Sequence, residues 1–317
     1  MSDINFDNIK DIVDDTYAEG FRSLYGEVLI TARDRRWLDH AVNAATGHSS
    51  STIMCDCESG VVGYQDPSDT PDGRIGAIVQ FHVPRFHKDR VRRLEKVMMA
   101  RISQNVLTCP TASCFDYCHV DNDPETTDAY YKLGRKIALF GDGHQFRDIR
   151  HGVRGWVVPI LGGEFFLSRR FAYRDGVMGG NLWFFGSSVD AALDAAERAA
   201  AAVAKVDGVI APFPGGVAAS GSKAGSRYSF MIASTYAEYC PTLRSKLGDQ
   251  SKLPQNVESV MEIIINGRDL DSLKTATAAA IHAAAETDGL RRISAGNYGG
   301  RLGKSFIHLH EVLDAGG

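Results

Sequence analysis

The chain has 317 residues, 44% of them hydrophobic and 23% charged, with a formal net charge of −4. That length accommodates two ordinary domains or one duplicated one, and the balance excludes wholesale disorder. A slightly acidic chain lacks the electrostatic footprint of a nucleic-acid binder, and its apolar runs fall well short of the roughly 20 residues a membrane span needs.

The opening "MSDINFDNIKDIVDD" is acidic and polar, without the basic and apolar regions of a secretory signal, so a soluble, cytoplasmic protein is expected. "GEVLITA" (26–32) reads as strand, "RRWLDHAVNAATG" (35–47) as helix and "SSTIMC" (50–55) as strand. "RIGAIVQFHV" (74–83) follows as strand and "HKDRVRRLEKVMMARISQNVL" (87–107) as helix, with Val91, Leu94, Met98, Ile102 and Val106 three or four apart. The basic run Arg90, Arg92, Arg93 and Lys96 falls on the polar face of that helix and reads as solvated. "TCPTASCF" closes this unit.

A β-rich middle (131–178) follows, with "RKIALFGDGHQF", "GWVVPIL" and "GEFFLSRRF" as expected strands. The scheme then repeats. "GGNLWFFG" (179–186) is strand, "SVDAALDAAERAAAAVAKV" (188–206) helix and "DGVIAPF" (207–213) strand. "SVMEIIING" (259–267) is strand and "RDLDSLKTATAAAIHAAAETDG" (268–289) helix, with "RRISAG" and "KSFIHLHEV" as the last strands. Two βαβ units per half imply an α+β fold of two ferredoxin-like (βαββαβ) lobes from an internal duplication, joined by the β-rich middle. The division expected is 1–150 and 151–317.

Several stretches carry possible chemistry. Cys55 with Cys57, and Cys109, Cys114 and Cys118 followed by His119, come near metal-ligand spacings, but the second set has the wrong last gap for a plant-type iron–sulfur site. Buried free thiols are the plainer reading. "APFPGGVAASGSKAGSRY" (211–228) has a Walker-like gap from Gly216 to Gly221, yet Ser222–Lys223 is in the reverse order for a P-loop. What survives is a glycine-rich connection whose backbone can approach a ligand closely, with Lys223 and Arg227 available to an anion. Strand alternation sets Glu262 on one face with Val260, Ile264 and Asn266, where desolvation raises its pKa and suits a general acid; a structural carboxylate paired with an arginine or amide is the competing reading. "HLHE" sets His308 and His310 on one strand face, as a zinc hydrolase would, though no companion constellation stands elsewhere.

Collinear strings over nearly the whole chain resemble the formylmethanofuran:tetrahydromethanopterin N-formyltransferases. They include "DDTYAEGF" (14–21), "ATGHSSSTIMC" (45–55), "TPDGRIG" (70–76), "CPTASCFD" (109–116), "LFGDGHQF" (139–146) and "MGGNLWF" (178–184). The longest are "APFPGGVAASGSKAGSRY", "EIIING" (262–267) and "ISAGNYGGRLGKSFIHLH" (293–310). The resemblance implies formyl transfer between N5 of a tetrahydromethanopterin-type pterin and the amine of a methanofuran-type carrier, with no tightly bound cofactor or metal. It implies direct attack through a tetrahedral intermediate, with Glu262 as the catalytic residue. Substrate-binding residues implied are Asn181, Phe213, Pro214, Gly215, Gly216, Ser220, Lys223, Arg227, Ser294, Asn297 and Arg301. Lys223, Arg227 and Arg301 would meet the glutamate-rich tail of the carrier. It further implies a homotetramer with sites at subunit boundaries, as the core of a larger formyltransferase/hydrolase complex in one-carbon oxidation to formate. The alternative is a carrier-binding or scaffolding subunit with little chemistry of its own. The segment 118–136 and the basic "LSRRFAYRDG" (167–176) depart from the archaeal pattern, which points to a methylotrophic bacterial member.

Overall fold

The computed structural model describes residues 9–118 and 129–315, so His119 and most of the 118–136 departure lie outside the described residues. The fold is mixed α+β, and the chain divides into two compact units, Arg22–Gly176 and a second made of residues up to Phe21 with Val177 onward.

The Arg22–Gly176 unit is built on β1 (Tyr17–Thr31, entering from the other unit), α1 (Arg35–Thr46), β2 (Glu58–Gln65), β3 (Gly76–Pro84), α2 (Arg90–Arg101) and β4 (Ser113–Asp116). The strands pair antiparallel in the order β2-β3-β1-β4, with Val28 opposite Val79 and Asp116. Asp34 starts α1 by accepting the Trp37 N–H at 3.0 Å. Leu94, Met98, Ile102 and Val106 turn inward onto the sheet with Val28, Val79 and Phe81, each buried side chain contributing roughly 1.5–3 kcal/mol. Val91 does not join them and stays exposed. A single π turn (Ile102–Val106) follows α2 and keeps Ile102, Val106 and Leu107 facing the core.

The unit continues with a short β5 (Tyr130–Tyr131), α3 (Leu133–Ala138), β6 (Phe146–Arg150), β7 (Val153–Ile160), β8 (Gly163–Ser168) and β9 (Phe171–Ala172). β6, β7 and β8 form an antiparallel meander that joins β4 through one parallel pairing, Cys114 with Leu167.

Val177 onward contains β10 (Arg174–Gly186, which starts in the first unit), α4 (Val189–Val203), β11 (Val209–Ile210), β12 (Val217–Ala218), β13 (Lys223–Ala224) and β14 (Ala233–Ser234). Then come α5 (Arg244–Leu247), β15 (Ser259–Gly267), α6 (Leu270–Ala285), β16 (Leu290–Ser294), β17 (Ser305–His308) and α7 (Leu309–Ala315). Here the antiparallel order is β11-β15-β10-β16, and β17 pairs with Tyr17–Gly20 of β1. Ser188 and Asp269 cap α4 and α6, the latter through a reciprocal capping box with Ser272. Buried alanines of α4 (Ala195, Ala196, Ala199) and α6 (Ala276, Ala280, Ala284) share one core with Leu182, Phe184, Ile263 and Ile265. Such small side chains let helix and strand backbones approach closely.

Three expectations need correction. Residues 50–55 form a turn, not a strand, because Glu58 accepts both the Thr52 amide and hydroxyl and Cys55 N–H bonds back to Ser51. "RKIALFGDGHQF" is α3 and a 3₁₀ turn until β6 begins at Phe146. His308 and His310 do not share a strand face, since β17 stops at His308 and His310 lies in α7, bonded to the Val13 carbonyl at 2.8 Å. The compact units divide the chain after Phe21 and after Gly176, so the first residues join the later unit, and β8 pairs with β4 inside the other.

Candidate active site

The second unit buries one carboxylate amid aligned donors. β15 alternates as expected, sending Ile263 and Ile265 into the helix-side core and Glu262 to the other face, where it is 2% exposed. The register sets Glu262 directly opposite Trp183 of β10 and Asn181 opposite Ile264. Glu262 Oε1 accepts from Asn181 Nδ2 (2.8 Å), Trp183 Nε1 (3.0 Å) and Ser222 Oγ (3.0 Å), while Oε2 is 3.1 Å from the same Ser222 hydroxyl. Burial pushes the carboxyl upward from its ordinary range, and the three donors pull back against it. Desolvation prevails, so the group holds a proton more tightly than an ordinary carboxyl.

A cleft opens on this carboxyl, lined by Trp183, Ala218–Gly221, Tyr236, Tyr239 and Pro241. Trp183 packs edge-on against Tyr236 and Tyr239, with centroids 4.7 and 5.1 Å away. The floor is tight. A Cβ on Gly296 would come within 2.8 Å of both Asn181 Nδ2 and the Trp183 ring, so glycine is required for the donors to keep their places.

Of the residues expected at a site, Glu262 and Asn181 meet directly, and Ser220 lines the cleft. Ser294 lies opposite Trp183 on β16, and Asn297 bonds Thr16 Oγ1 (3.1 Å) and the Tyr17 carbonyl (3.3 Å). Phe213 to Gly216 form a turn in which a Gly216 Cβ would meet Ala200 of α4, away from the cleft lining. Lys223 is half-buried in β13, while Arg227 and Arg301 are exposed on their loops. Residue reading missed Trp183, Ser222, Tyr236, Tyr239 and Tyr298. Ser222 stood in plain view as half of a failed Walker pair; the signal for it was the hydroxyl itself.

The cysteines Cys57, Cys109, Cys114 and Cys118 are buried free thiols, those of Cys57, Cys114 and Cys118 pushed far up by burial. Among the described residues no three His, Cys, Asp or Glu side chains converge to hold a metal ion. No helix of the described residues is long and apolar enough to cross a membrane.

A buried, proton-holding carboxyl at the foot of an aromatic cleft suits acid–base group transfer, and comparison with known proteins gives the same class: the chain is a transferase. Residues 6–160 match the family model of formylmethanofuran-tetrahydromethanopterin formyltransferase, and residues 163–312 match the model of that enzyme's proximal lobe. The chain belongs to the formylmethanofuran–tetrahydromethanopterin formyltransferase family. It is 43% identical to the formyltransferase of Methanocaldococcus jannaschii, covering 95% of this chain and 98% of that one, and 42% identical to that of Methanopyrus kandleri, covering 95% and 98%. Among solved structures, the Methanosarcina barkeri formyltransferase superposes with a TM-score of 0.87 at 39% identity, covering 95% of this chain and 98% of that one. A chain of the formyltransferase/hydrolase complex from Methylorubrum extorquens, solved with methylofuran, gives 0.86 at 36%, covering 95% and 96%.

Proposed function

We infer that the protein transfers a formyl group between N5 of a tetrahydromethanopterin-type pterin and the amine of a methanofuran-type carrier. The observation that carries the chemistry is the convergence of three donors on Glu262 Oε1. With Oε1 so occupied, the carboxyl proton belongs on Oε2, beside the cleft. The acceptor amine attacks the formyl carbon, and a new C–N bond forms as the carbonyl becomes a tetrahedral oxyanion. The old C–N bond then breaks, Glu262 Oε2 protonates the departing nitrogen, and the proton shed by the attacking amine returns to the carboxylate. The carriers are substrates, and no step calls on a bound cofactor.

Asn181 and Ser220 would flank the formyl group, with Ser294 and Asn297 shaping the wall behind. Phe213 to Gly216 would guide a carrier at the cleft's edge, and Lys223, Arg227 and Arg301 would meet its anionic tail. By likeness to the complex solved with methylofuran, we read the chain as a cytoplasmic, homotetrameric transferase core of a formyltransferase/hydrolase assembly, returning formyl groups to the furan carrier on the way to formate. Each unit is read as a ferredoxin-like lobe and the pair as a duplication. The support is the shared second-third-first-fourth strand order, β2-β3-β1-β4 and β11-β15-β10-β16, with a helix after the first and third strands of each.

The test is Glu262→Gln assayed for formyl exchange between the two carriers. Turnover falls roughly 10²- to 10⁴-fold with the assembly intact; undiminished turnover overturns the role and favours a carrier-binding subunit.

A further inference from the structure

The same unit contains a second buried carboxylate, Glu19 of β1, 3% exposed. Its Oε1 accepts the backbone N–H groups of Tyr298 and Gly300, both at 2.6 Å, and its Oε2 those of Leu302 (3.2 Å) and Gly303 (3.0 Å). Burial works to raise its pKa, and the four amides outweigh burial and hold the carboxyl below its ordinary range. It is an anion wrapped by one loop. The loop lies hard on β1: a Cβ at Gly303 would sit 2.3 Å from the Gly20 carbonyl oxygen.

The loop projects Tyr298 towards the site. Its hydroxyl donates to the Ser222 carbonyl (2.8 Å) and accepts from the Tyr236 hydroxyl (2.7 Å) and the Ala224 N–H (3.1 Å). One donor and two acceptors exhaust a phenol's capacity. Tyr298 therefore ties both backbone neighbours of Lys223 and the cleft's aromatic wall to one point. Ser222 is the residue whose side chain reaches Glu262.

We propose that Glu19 is a positioning residue for the transfer reaction: by anchoring the 298–303 loop it fixes Tyr298, which fixes Ser222 and Tyr236 against Glu262. This rests on the catalytic reading of Glu262. Glu19 has no direct hydrogen bond to Glu262 among those described, so it acts through the loop. A glutamine at position 19 keeps the shape but turns an NH₂ group towards two of the four amides, leaving them without an acceptor. The titratable side chains facing Glu262 across the cleft are Tyr236, Tyr239 and Cys240, with Glu238 acting on Tyr236 and Lys223 adjoining Ser222.

The experiment follows Glu262's protonation by infrared difference spectroscopy, using the carbonyl band that Glu262→Gln lacks, in parallel with formyl-transfer kinetics. Glu19→Gln, Tyr298→Phe and Ser222→Ala are each made alone, and Glu19→Gln is also combined with Ser222→Ala. The expected result is an upward displacement of the band's midpoint by about half to one pH unit in all three single variants, as a hydroxyl favouring the carboxylate is lost. The Glu19→Gln/Ser222→Ala double variant moves no further than Ser222→Ala alone. In both positioning variants kcat falls about tenfold with KM within about twofold. A midpoint that stays put in Tyr298→Phe, which retains ring and fold, overturns the proposal. So does a downward shift in Glu19→Gln, the sign of simply removing a negative charge, or full additivity with Ser222→Ala. Wild-type turnover in Glu262→Gln sinks the catalytic reading instead, while the infrared midpoints still decide whether Glu19 sets Glu262's surroundings.

Discussion

In the Arg22–Gly176 unit, Glu27 on β1 faces Gln80 on β3; in the other unit, Trp183 on β10 faces Glu262 on β15. Both pairs lie on the strand face turned away from the helices, whose own side takes Val28 and Val79 in one unit and Leu182 and Ile263 in the other. The first cluster links polar groups of neighbouring strands to one another. Gln80 Nε2 donates to Glu27 (2.9 Å), Gln80 Oε1 meets His82 Nε2 (3.0 Å), His82 Nδ1 meets Ser23 Oγ (3.0 Å), and Tyr25 stacks on the imidazole. The second cluster borrows a hydroxyl from outside the sheet and opens on a cleft. The difference arises in one connection. Ten residues (66–75) link β2 to β3, whereas forty-eight (211–258) link β11 to β15 and supply Ser222, Tyr236 and Tyr239. A buried polar pair on the central strands is common to both units; the long connection is what opens one of them onto a cleft.

The sharpest way to break this comparison is to cut each cluster at its centre. Gln80→Leu removes the bridge between Glu27 and His82 and leaves buried polar groups short of a partner, which costs about 3 kcal/mol of unfolding free energy by denaturant titration. Turnover per folded molecule stays within twofold of the parent. A large loss of kcat with stability unchanged would mean that the Glu27–Gln80–His82 cluster belongs to the chemistry after all.

Much of this was legible in the residues and some was not. β15 was read to the residue from "SVMEIIING", because alternation and β-branched side chains agree there, and Glu262's burial followed from the same pattern. β2 was missed in favour of "SSTIMC", where serine and threonine hydroxyls satisfy the backbone locally and favour a turn. The donors to Glu262 were not legible as a set. Asn181 and Trp183 lie 81 and 79 residues from it in sequence, and only strand register sets Trp183 opposite Glu262 with Asn181 diagonal to it. The His310 expectation fails because the strand period is carried on to Val312, past the start of α7 at Leu309.

The clusters also predict opposite responses to pH. Burial holds His82 neutral, lowering its pKa from 6.5 to about 3, so the unfolded chain binds the extra proton. Stability is therefore lost as pH falls from about 6.5 towards 3. Glu262 is raised, so here the folded state binds the extra proton, and stability is lost as pH rises above the ordinary carboxylate range. Denaturant unfolding across pH should show Glu262→Gln stabilised relative to the parent at neutral pH and unchanged in acid. His82→Asn, though less stable at neutral pH, should lose less between pH 6.5 and 4 than the parent does. Parallel pH curves for the two variants would show that neither group is held as described.

The smallest of these effects isolates one donor. Trp183→Phe keeps an aromatic ring against Tyr236 and Tyr239 while removing the indole N–H, 3.0 Å from Glu262 Oε1, together with the fused pyrrole ring that carries it. Asn181 and Ser222 remain, so Oε1 is still the occupied oxygen. Losing a donor that favours the carboxylate raises Glu262's pKa further. The group then gives up its proton less readily and returns to the carboxylate form less completely at a given pH. A single neutral hydrogen bond to an ionisable group contributes about 1 kcal/mol, which puts the loss of kcat at three- to tenfold, with the pH optimum displaced upward. The cluster in the other unit offers the control: Tyr25→Phe keeps the ring that stacks on His82, and it should move neither kcat nor the optimum. If Trp183→Phe is equally silent, the indole serves the cleft by shape alone, and Glu262 is tuned by Asn181 and Ser222.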